Sequence, residues 1–495
     1  MLVRLKLRST LSLGVLFFLV SLPFSNAVSQ TIAGIKAHPR TSTELLRIPD
    51  NSPIADNNFL EQEKTEQRQL ARNEVGQMTD VVRTVSEDNS SQSFSFAEYF
   101  DTLAVEEKSK FSWNLPGGWT IVPFGQVRGE MIYAQNPTAA DAVQFFFLPN
   151  NPDVDDDTFT VHGKTSMLNF ALSGPDLRGW ETGGAMVINF LGPQPLRNNS
   201  GFNVLNAYGY LKRDDIRISF GRMTDLFSPI QPNTVNMGQQ RAAGNVGIFR
   251  GAFNIDRYIQ CGPCTKWTLS GRLSQNTVKD YLLLPTARGM DNGFPNFEGR
   301  IGLEYGTEID GQRPLEIGVS GLWGETRAFD PARIDLDQNE IIFLGALQEV
   351  STTAGLNIDL QLRGPRVGMR GEFWMAQAAG TYFAGILQTL NSETGKGIRS
   401  IGGWSEVYYK SNPRTTLGLG GGIDDPRNQD VGFITNSPND PGQRLYSSVV
   451  WSNAFYDVAE NFQLGFEVAY RKTHYLNPNA SSSGFVTGFS STLKF

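Results

Sequence analysis

Two stretches near the end of the chain decide the fold: residues 461–473, NFQLGFEVAYRKT, and residues 483–495, SGFVTGFSSTLKF. In the first stretch Phe462, Phe466 and Tyr470 fall on one face, whereas Glu467 and Arg471 fall on the other. Alternation of apolar and polar residues with a period of two is the signature of a β-strand. Charges of both signs stand in the middle of this strand, which predicts that its polar face meets water.

The same pattern begins at about Trp119 and continues to the last residue. Sixteen segments alternate apolar and polar residues, with frequent Gly and with turn residues between the segments. They are 120–134, 158–172, 179–191, 203–212, 214–222, 246–256, 265–276, 296–306, 313–325, 353–363, 365–377, 398–410, 414–424, 443–456, 461–473 and 483–495. A soluble sheet with one wet side would show the same alternation. Abundant Gly and mid-strand charges favour a wide, water-filled lumen instead.

The connections between these segments alternate between longer and shorter without exception. The long connection 135–157 is followed by the short 173–178, and the long 378–397 is followed by the turn 411–413. Outer-membrane barrels have long external loops and short periplasmic turns, and only a closed barrel satisfies every strand's backbone groups in lipid. The sequence therefore predicts an all-β fold, a transmembrane antiparallel up-and-down barrel of about 16 strands over residues 111–495.

Aromatic residues cluster at the strand ends. Amphipathic rings at both membrane interfaces are expected of such a barrel, although strands favour aromatic residues in any case. With the chain start in the periplasm, the predicted periplasmic rim contains Trp180, Trp267, Tyr305, Tyr409 and Phe495, and the outer rim contains Tyr133, Trp323 and Tyr470.

The N-terminal residues carry an export signal and a polar extension. Residues 1–27 combine basic residues, an apolar run and the small residues of a cleavage site, which predicts a signal peptide; an uncleaved anchor is the alternative. Residues 28–110 predict a periplasmic linker. Val75, Met78, Val82 and Val85 within it fit a short coiled coil, and a lone or partly disordered helix fits them too.

Composition excludes several classes of function. The net charge is -7 and the pI about 5.3, so the chain lacks the basic footprint of a nucleic-acid binder. After the first thirty residues no apolar run is long enough for a helical membrane span. Three His and two Cys leave few metal ligands or nucleophiles. We therefore expect no enzyme activity, no catalytic residue, no metal and no cofactor.

The end of the chain resembles a known assembly signal. Phe485, Phe489, Leu493 and the terminal Phe495 share one face of the last strand. This pattern resembles the C-terminal signal that the outer-membrane assembly machinery reads in bacterial outer-membrane proteins. Together with the signal peptide and sixteen strands, it resembles the sixteen-stranded bacterial porins of Gram-negative outer membranes.

In those porins the third external loop folds into the barrel and narrows it. Here that loop, residues 224–245, reads TDLFSPIQPNTVNMGQQRAAGN, and its only charges are Asp225 and Arg241. An inward fold would let these two charges act on permeating ions. The predicted facing wall arginines are Arg128, Arg217, Arg272, Arg300 and Arg370. Alternatively these arginines pair with lumen carboxylates (Arg128 with Glu130, Arg370 with Glu372) and only stiffen the wall.

The stretch from Gly221 to Arg250, with DLFSPIQPNTVNMG followed by Arg241 and Arg250, resembles the DcaP-type trimeric porins, a dicarboxylate-channel family. The resemblance implies a helical periplasmic extension, a homotrimer and a preference for organic anions. It also makes Arg241 and Arg250 candidate substrate contacts.

A further pair of residues, Cys261 and Cys264, falls on a predicted periplasmic turn. No helix follows them, as a redox site would require, and no further Cys or His is near enough in sequence to complete a metal site. In an oxidising compartment we expect a local disulfide that closes the turn.

These observations predict an outer-membrane porin for passive diffusion of small polar solutes, with lipid as its surroundings. A structural anchor whose residues 28–110 contact the cell wall is the alternative. Receptor-driven uptake would need a larger barrel and a plug domain, for which the chain is too short.

Overall fold

The computed structural model describes residues 111–140, 142–150, 157–192, 200–276, 294–308, 312–328, 333–335, 340–342, 349–433 and 440–495. All described residues belong to one compact unit. The predicted signal peptide (1–27) and periplasmic extension (28–110) lie outside the described residues. Among the described residues, no helix is long and apolar enough to cross a membrane.

Strands account for nearly all regular structure in the described residues. They are β1 (Trp113–Leu115), β2 (Trp119–Ala134), β3 (Thr158–His162), β4 (Met167–Ser173), β5 (Glu181–Asn189), β6 (Asn203–Arg213), β7 (Ile216–Thr224), β8 (Phe249–Gln260), β9 (Thr265–Ser274), β10 (Asn296–Tyr305), β11 (Leu315–Ala328), β12 (Arg333–Asp335), β13 (Glu340–Ile342), β14 (Glu349–Leu362), β15 (Val367–Gln377), β16 (Arg399–Asn412), β17 (Thr415–Pro426), β18 (Arg444–Ala459), β19 (Phe462–Tyr475) and β20 (Ser482–Lys494). Short 3-10 helices lie at Gly380–Tyr382, Asn428–Asp430 and Pro478–Ala480.

The strands form a closed antiparallel barrel with sixteen strand positions around the ring, each of which is called a stave. From β4 to β20 each strand of the ring pairs with the next, with β11 pairing β14 past a separate hairpin, and β2 closes the ring by pairing with β20, from Gln126 opposite Lys494 to Ala134 opposite Val486. Strands β3 and β4 form one stave together, because both pair with β2. Strand β1 only extends the start of β2, and β12 and β13 form a separate hairpin. The predicted fold class and the predicted number of strands are confirmed.

One predicted segment, 158–172, is not a single strand. The ladder stops at His162 and resumes at Met167, because Ser166 takes over the backbone hydrogen bonds of the facing residue. Its hydroxyl accepts from the Arg128 N–H at 2.9 Å and donates to the Arg128 carbonyl at 3.3 Å. Such a side-chain replacement of ladder bonds preserves hydrogen bonding while it bends the stave.

The two faces of the barrel differ as the alternation predicts. Ile301, Phe373 and Leu419 point outward and are more than half exposed, whereas Asn357 and Glu406 point inward and are buried. In lipid the apolar exterior is solvated and every paired strand satisfies its backbone groups. A charged residue at a mid-membrane outward position such as Phe373 would cost about 2–4 kcal/mol.

Each connection at one end of the barrel is longer than the turns that flank it in sequence at the other end. At the first end lie residues 135–157, 190–202, 225–248, 275–295, 329–348, 378–398, 427–443 and 476–481. The connections 135–157, 225–248 and 378–398 are named loop 1, loop 3 and loop 6. The turns at the other end are 174–180, 214–215, 261–264, 306–314, 363–366, 413–414 and 460–461. This arrangement matches the predicted alternation.

Candidate functional site: the loops inside the barrel

Loop 3 follows the inner wall of the barrel and is tied to it by four carboxylates. Few residues of loop 3 are charged. Its backbone N–H groups lose their water partners when the loop enters the barrel, so they need acceptors from the protein. The wall supplies them at Glu298 of β10, Glu372 of β15, Glu406 of β16 and Glu467 of β19. The bonds run from Leu226 N to Glu298 (2.8 Å), Ile230 N to Glu372 (3.2 Å), Asn233 N to Glu406 (2.9 Å) and Val235 N to Glu467 (2.8 Å).

At the root of loop 3, Asp225 and Arg250 form a buried ion pair. Arg250 Nε lies 2.5 Å from Asp225 Oδ1, and Asp225 Oδ2 accepts from the Ile248 N–H at 2.9 Å. Burial raises the pKa of Asp225 to about 6, and the Arg250 charge opposes that rise. Arg250 is only 1% exposed and its charge is paired with Asp225, and its expected contact with substrate stays a prediction.

Arg241 lies farther along loop 3 and is held only by neutral acceptors. Its guanidinium donates to Gly247 O (2.9 Å), Gln239 Oε1 (2.8 Å), Gln231 Oε1 (2.9 Å) and Gly238 O (3.4 Å). Among the described residues no carboxylate lies within 4 Å of it. Burial lowers the pKa of Arg241 to about 10, with Asp225 and Glu372 opposing from farther away, so it stays protonated at neutral pH.

The predicted wall arginines have individual partners rather than forming an open ring. Arg370 pairs with Glu406 at 2.8 Å, so its expected pairing with Glu372 is wrong; Glu372 instead accepts from loop 3. The other four contact Glu130 (Arg128, 2.7 Å), the Tyr210 ring (Arg217, 4.2 Å), Glu298 (Arg272, 4.0 Å) and Asp359 (Arg300, 2.6 Å). Wall charge is therefore largely compensated locally.

Loops 1 and 6 also fold inward, which the sequence reasoning missed. Residues 142–147 of loop 1 and 378–389 of loop 6 are all buried. They meet loop 3 in an apolar loop cluster. Its larger members are Val143, Phe145, Phe146, Leu191, Phe383, Ile386 and Leu387, with Ala242 from loop 3. The signal was present as apolar runs, QFFFLP (144–149) and TYFAGIL (381–387), within connections expected to be external.

Wall residues fix both of these loops from the inside of the barrel. The Phe147 N–H donates to Thr473 of β19 at 3.1 Å, and the Tyr475 hydroxyl donates to Phe147 O at 2.7 Å. In loop 6 the Ile386 N–H donates to Asp424 of β17 at 2.7 Å. The mouth of the barrel is thus narrowed by three loops rather than one.

The two cysteines lie on the turn between β8 and β9 and are both free thiols, so the expected disulfide is contradicted. The Cys261 N–H already closes the turn by donating to Thr265 O at 2.8 Å. Cys261 is exposed and Cys264 half-buried. In the described part of the chain, no group of three or more His, Cys, Asp or Glu side chains could hold a metal ion.

The predicted assembly residues Phe485, Phe489, Leu493 and Phe495 all lie on the outward face of β20 or just beyond it. The last residue is integrated into the ladder. Its N–H and carbonyl exchange hydrogen bonds of 3.0 and 2.9 Å with Gly125 of β2. The chain terminus is therefore part of the seam that closes the barrel.

Comparison with known proteins identifies the fold. No family model matches the chain, and no curated protein matches it. The outer membrane channel DcaP of Acinetobacter baumannii has a TM-score of 0.58 at 14% identity, covering 77% of this chain and 99% of that one. An anion-selective porin from Comamonas acidovorans gives 0.48 at 12% identity, covering 76% and 100%.

The described residues thus have the fold of the sixteen-stranded bacterial outer-membrane porins. A closed barrel with an apolar exterior belongs in a bilayer, and such barrels lie in Gram-negative outer membranes. Among solved structures, the fold is similar to that of the DcaP channel.

Proposed function

We propose that the protein is a passive porin for small polar solutes that favours organic anions. The observation that carries this proposal is Arg241: a protonated guanidinium inside the barrel, without a carboxylate partner among the described residues. A fixed positive charge at a narrow point lowers the energy of a permeating anion. Solutes would pass loop 3 by diffusion, selected by size and charge.

Hydrogen-bond capacity supports a direct role for Arg241. A guanidinium has five N–H donors, and the four bonds to Gly247, Gln239, Gln231 and Gly238 leave one N–H for a solute. One remaining donor on a fixed charge favours brief contacts with a carboxylate rather than tight binding. Brief contact is what conduction requires, since a tightly bound solute would not leave.

Planar bilayers with a salt gradient test the proposal. The purified protein should give discrete conductance steps and a reversal potential of the sign for anion preference. Arg241→Gln should move that potential toward cations. Arg257→Gln is the matched control, because Arg257 pairs with Asp215 at the exposed periplasmic end of β8. Absence of conductance would favour the structural anchor, and an unchanged potential in Arg241→Gln would remove Arg241 from selectivity.

We also propose a homotrimer and recognition by the outer-membrane assembly machinery. The trimer rests on the resemblance around loop 3 and on the seam of Val75, Met78, Val82 and Val85, which lies outside the described residues. The mass of the detergent-extracted protein, with and without residues 28–110, tests it. A monomer in both forms would refute the trimer.

A further inference from the structure

Loop 6 is built as tightly into the barrel as loop 3. Its two ends contact β14, where Thr353 donates to Ala378 O at 3.3 Å and Ser351 accepts from Gly397 N at 2.8 Å, and its middle is held by β17 and β18. Gln388 and Arg444 of β18 exchange hydrogen bonds of 2.8 and 2.6 Å, and Arg444 Nε donates to Ile386 O at 3.0 Å. Such anchoring fixes the backbone independently of loop 3.

The backbone of loop 6 is strained. Phe383, Ile386 and Leu387 have φ angles of 68°, 54° and 63°, in the left-handed region that bulky and β-branched residues avoid. Residues keep such conformations only where the surrounding contacts hold the backbone in place. Positions of this kind cluster at functional sites. Phe383, one of these strained residues, directly follows a second aromatic residue, Tyr382.

These two rings face two arginines, Arg241 of loop 3 and Arg250 at the start of β8. The Arg250 guanidinium carbon lies 3.5 Å from the centre of the Tyr382 ring, and the Arg241 guanidinium carbon lies 5.8 Å from the centre of the Phe383 ring. Tyr382 adds two links: its backbone carbonyl accepts from Gly247 N at 2.7 Å, and its side-chain hydroxyl donates to Glu298 at 3.1 Å. Gly247 O in turn accepts from Arg241.

We propose that loop 6 is a second constriction loop, in which Phe383 is a positioning residue that sets the orientation of Arg241 and hence the anion preference. This inference rests on the proposed role of Arg241. A cation within about 6 Å of a ring face is attracted to it, and the ring also blocks one side of the guanidinium. Without the ring, the Arg241 guanidinium can adopt other orientations. It then points toward passing solutes for a smaller fraction of the time.

The reversal potential of variants that replace the Phe383 ring tests the proposal. Phe383→Leu should lower the anion-to-cation permeability ratio roughly two- to five-fold, the factor that the weaker cation–ring contacts are worth, because the 5.8 Å separation of this buried pair lies near the outer limit of such contacts. Phe383→Met, which keeps volume without a ring, should give the same shift if Phe383→Leu does not assemble. Phe383→Tyr keeps the ring and should retain the wild-type ratio.

The matched control is Phe145→Leu. Phe145 belongs to the same apolar loop cluster, with its ring 5.3 Å from that of Phe383, but it comes from loop 1. This variant should leave the ratio unchanged, and Phe383→Leu should have no effect in an Arg241→Gln background. Equal shifts in the Phe383 and Phe145 variants, or additive shifts with Arg241→Gln, would overturn the positioning role. An Arg241→Gln variant without any shift would instead overturn the proposed function.

Discussion

Removal of the Glu467 carboxylate should release the central part of loop 3. Glu467 accepts from Val235 N at 2.8 Å and from Gln240 Nε2 at 3.3 Å, on either side of the turn that leads to Arg241. Hydrogen bonds to a charged group contribute about 1.5–3 kcal/mol each, and the longer one less. A loss of about 3 kcal/mol corresponds to a roughly 100-fold larger fraction of locally open loop.

Limited trypsin digestion measures that fraction, because Arg241 is the only Lys or Arg between residues 226 and 249. Cleavage after Arg241, followed by mass spectrometry of detergent-solubilised protein, should be roughly 100 times faster in Glu467→Leu when opening is fast compared with cleavage. Glu304→Leu is the control, since Glu304 is a lumen carboxylate paired with Lys266 at 2.9 Å. Wild-type cleavage rates in Glu467→Leu, or equal acceleration in both variants, would refute the tethering.

Two further predictions concern the loop root and the chain end. As the pH falls through about 6, Asp225 takes up a proton while Arg250 stays charged, so the reversal potential should move toward anions; this step should be lost in Asp225→Asn, and a step near pH 6 that persists there would assign it to another group. Phe495→Ala should lower the amount of folded protein in the outer membrane of an expressing cell, whereas Phe373→Ala, a similarly exposed outward ring, should not; equal losses would argue against a terminal signal.

The barrel could be predicted from sequence because its rules are local and repeated. A period of two assigns each residue of a strand such as β19 to lipid or lumen, and turn residues mark where strands end. The break at Ser166 escaped prediction for the opposite reason. It depends on one hydroxyl meeting the backbone of Arg128 on another strand, and no periodicity encodes that meeting.

The candidate site was predicted only in part, because its contacts join residues far apart in sequence. The resemblance to porins implied that loop 3 folds inward, yet the acceptors for its N–H groups come from strand residues as far as 232 positions away in sequence. The partner of Arg370 could not be chosen from sequence, since Glu372 on its own strand and Glu406 on the next are both within reach in an alternating barrel. Register across strands decided it.

Loops 1 and 6 show why a long external connection should be examined for apolar residues as well as for length. A loop that stays in water has no reason to contain Phe145, Phe146 and Phe147 in succession, since their burial is worth about 1.5–3 kcal/mol each. Inside a wide barrel the loops cover such residues together with apolar wall residues, as where Phe147 packs against Ile132, Ala134 and Val486. The apolar loop cluster therefore holds the inward loops firmly inside a barrel whose lumen is polar. Loop 3 brings Arg241 to the edge of that cluster. Apolar surroundings screen a charge little, so the single charge of Arg241 acts strongly there.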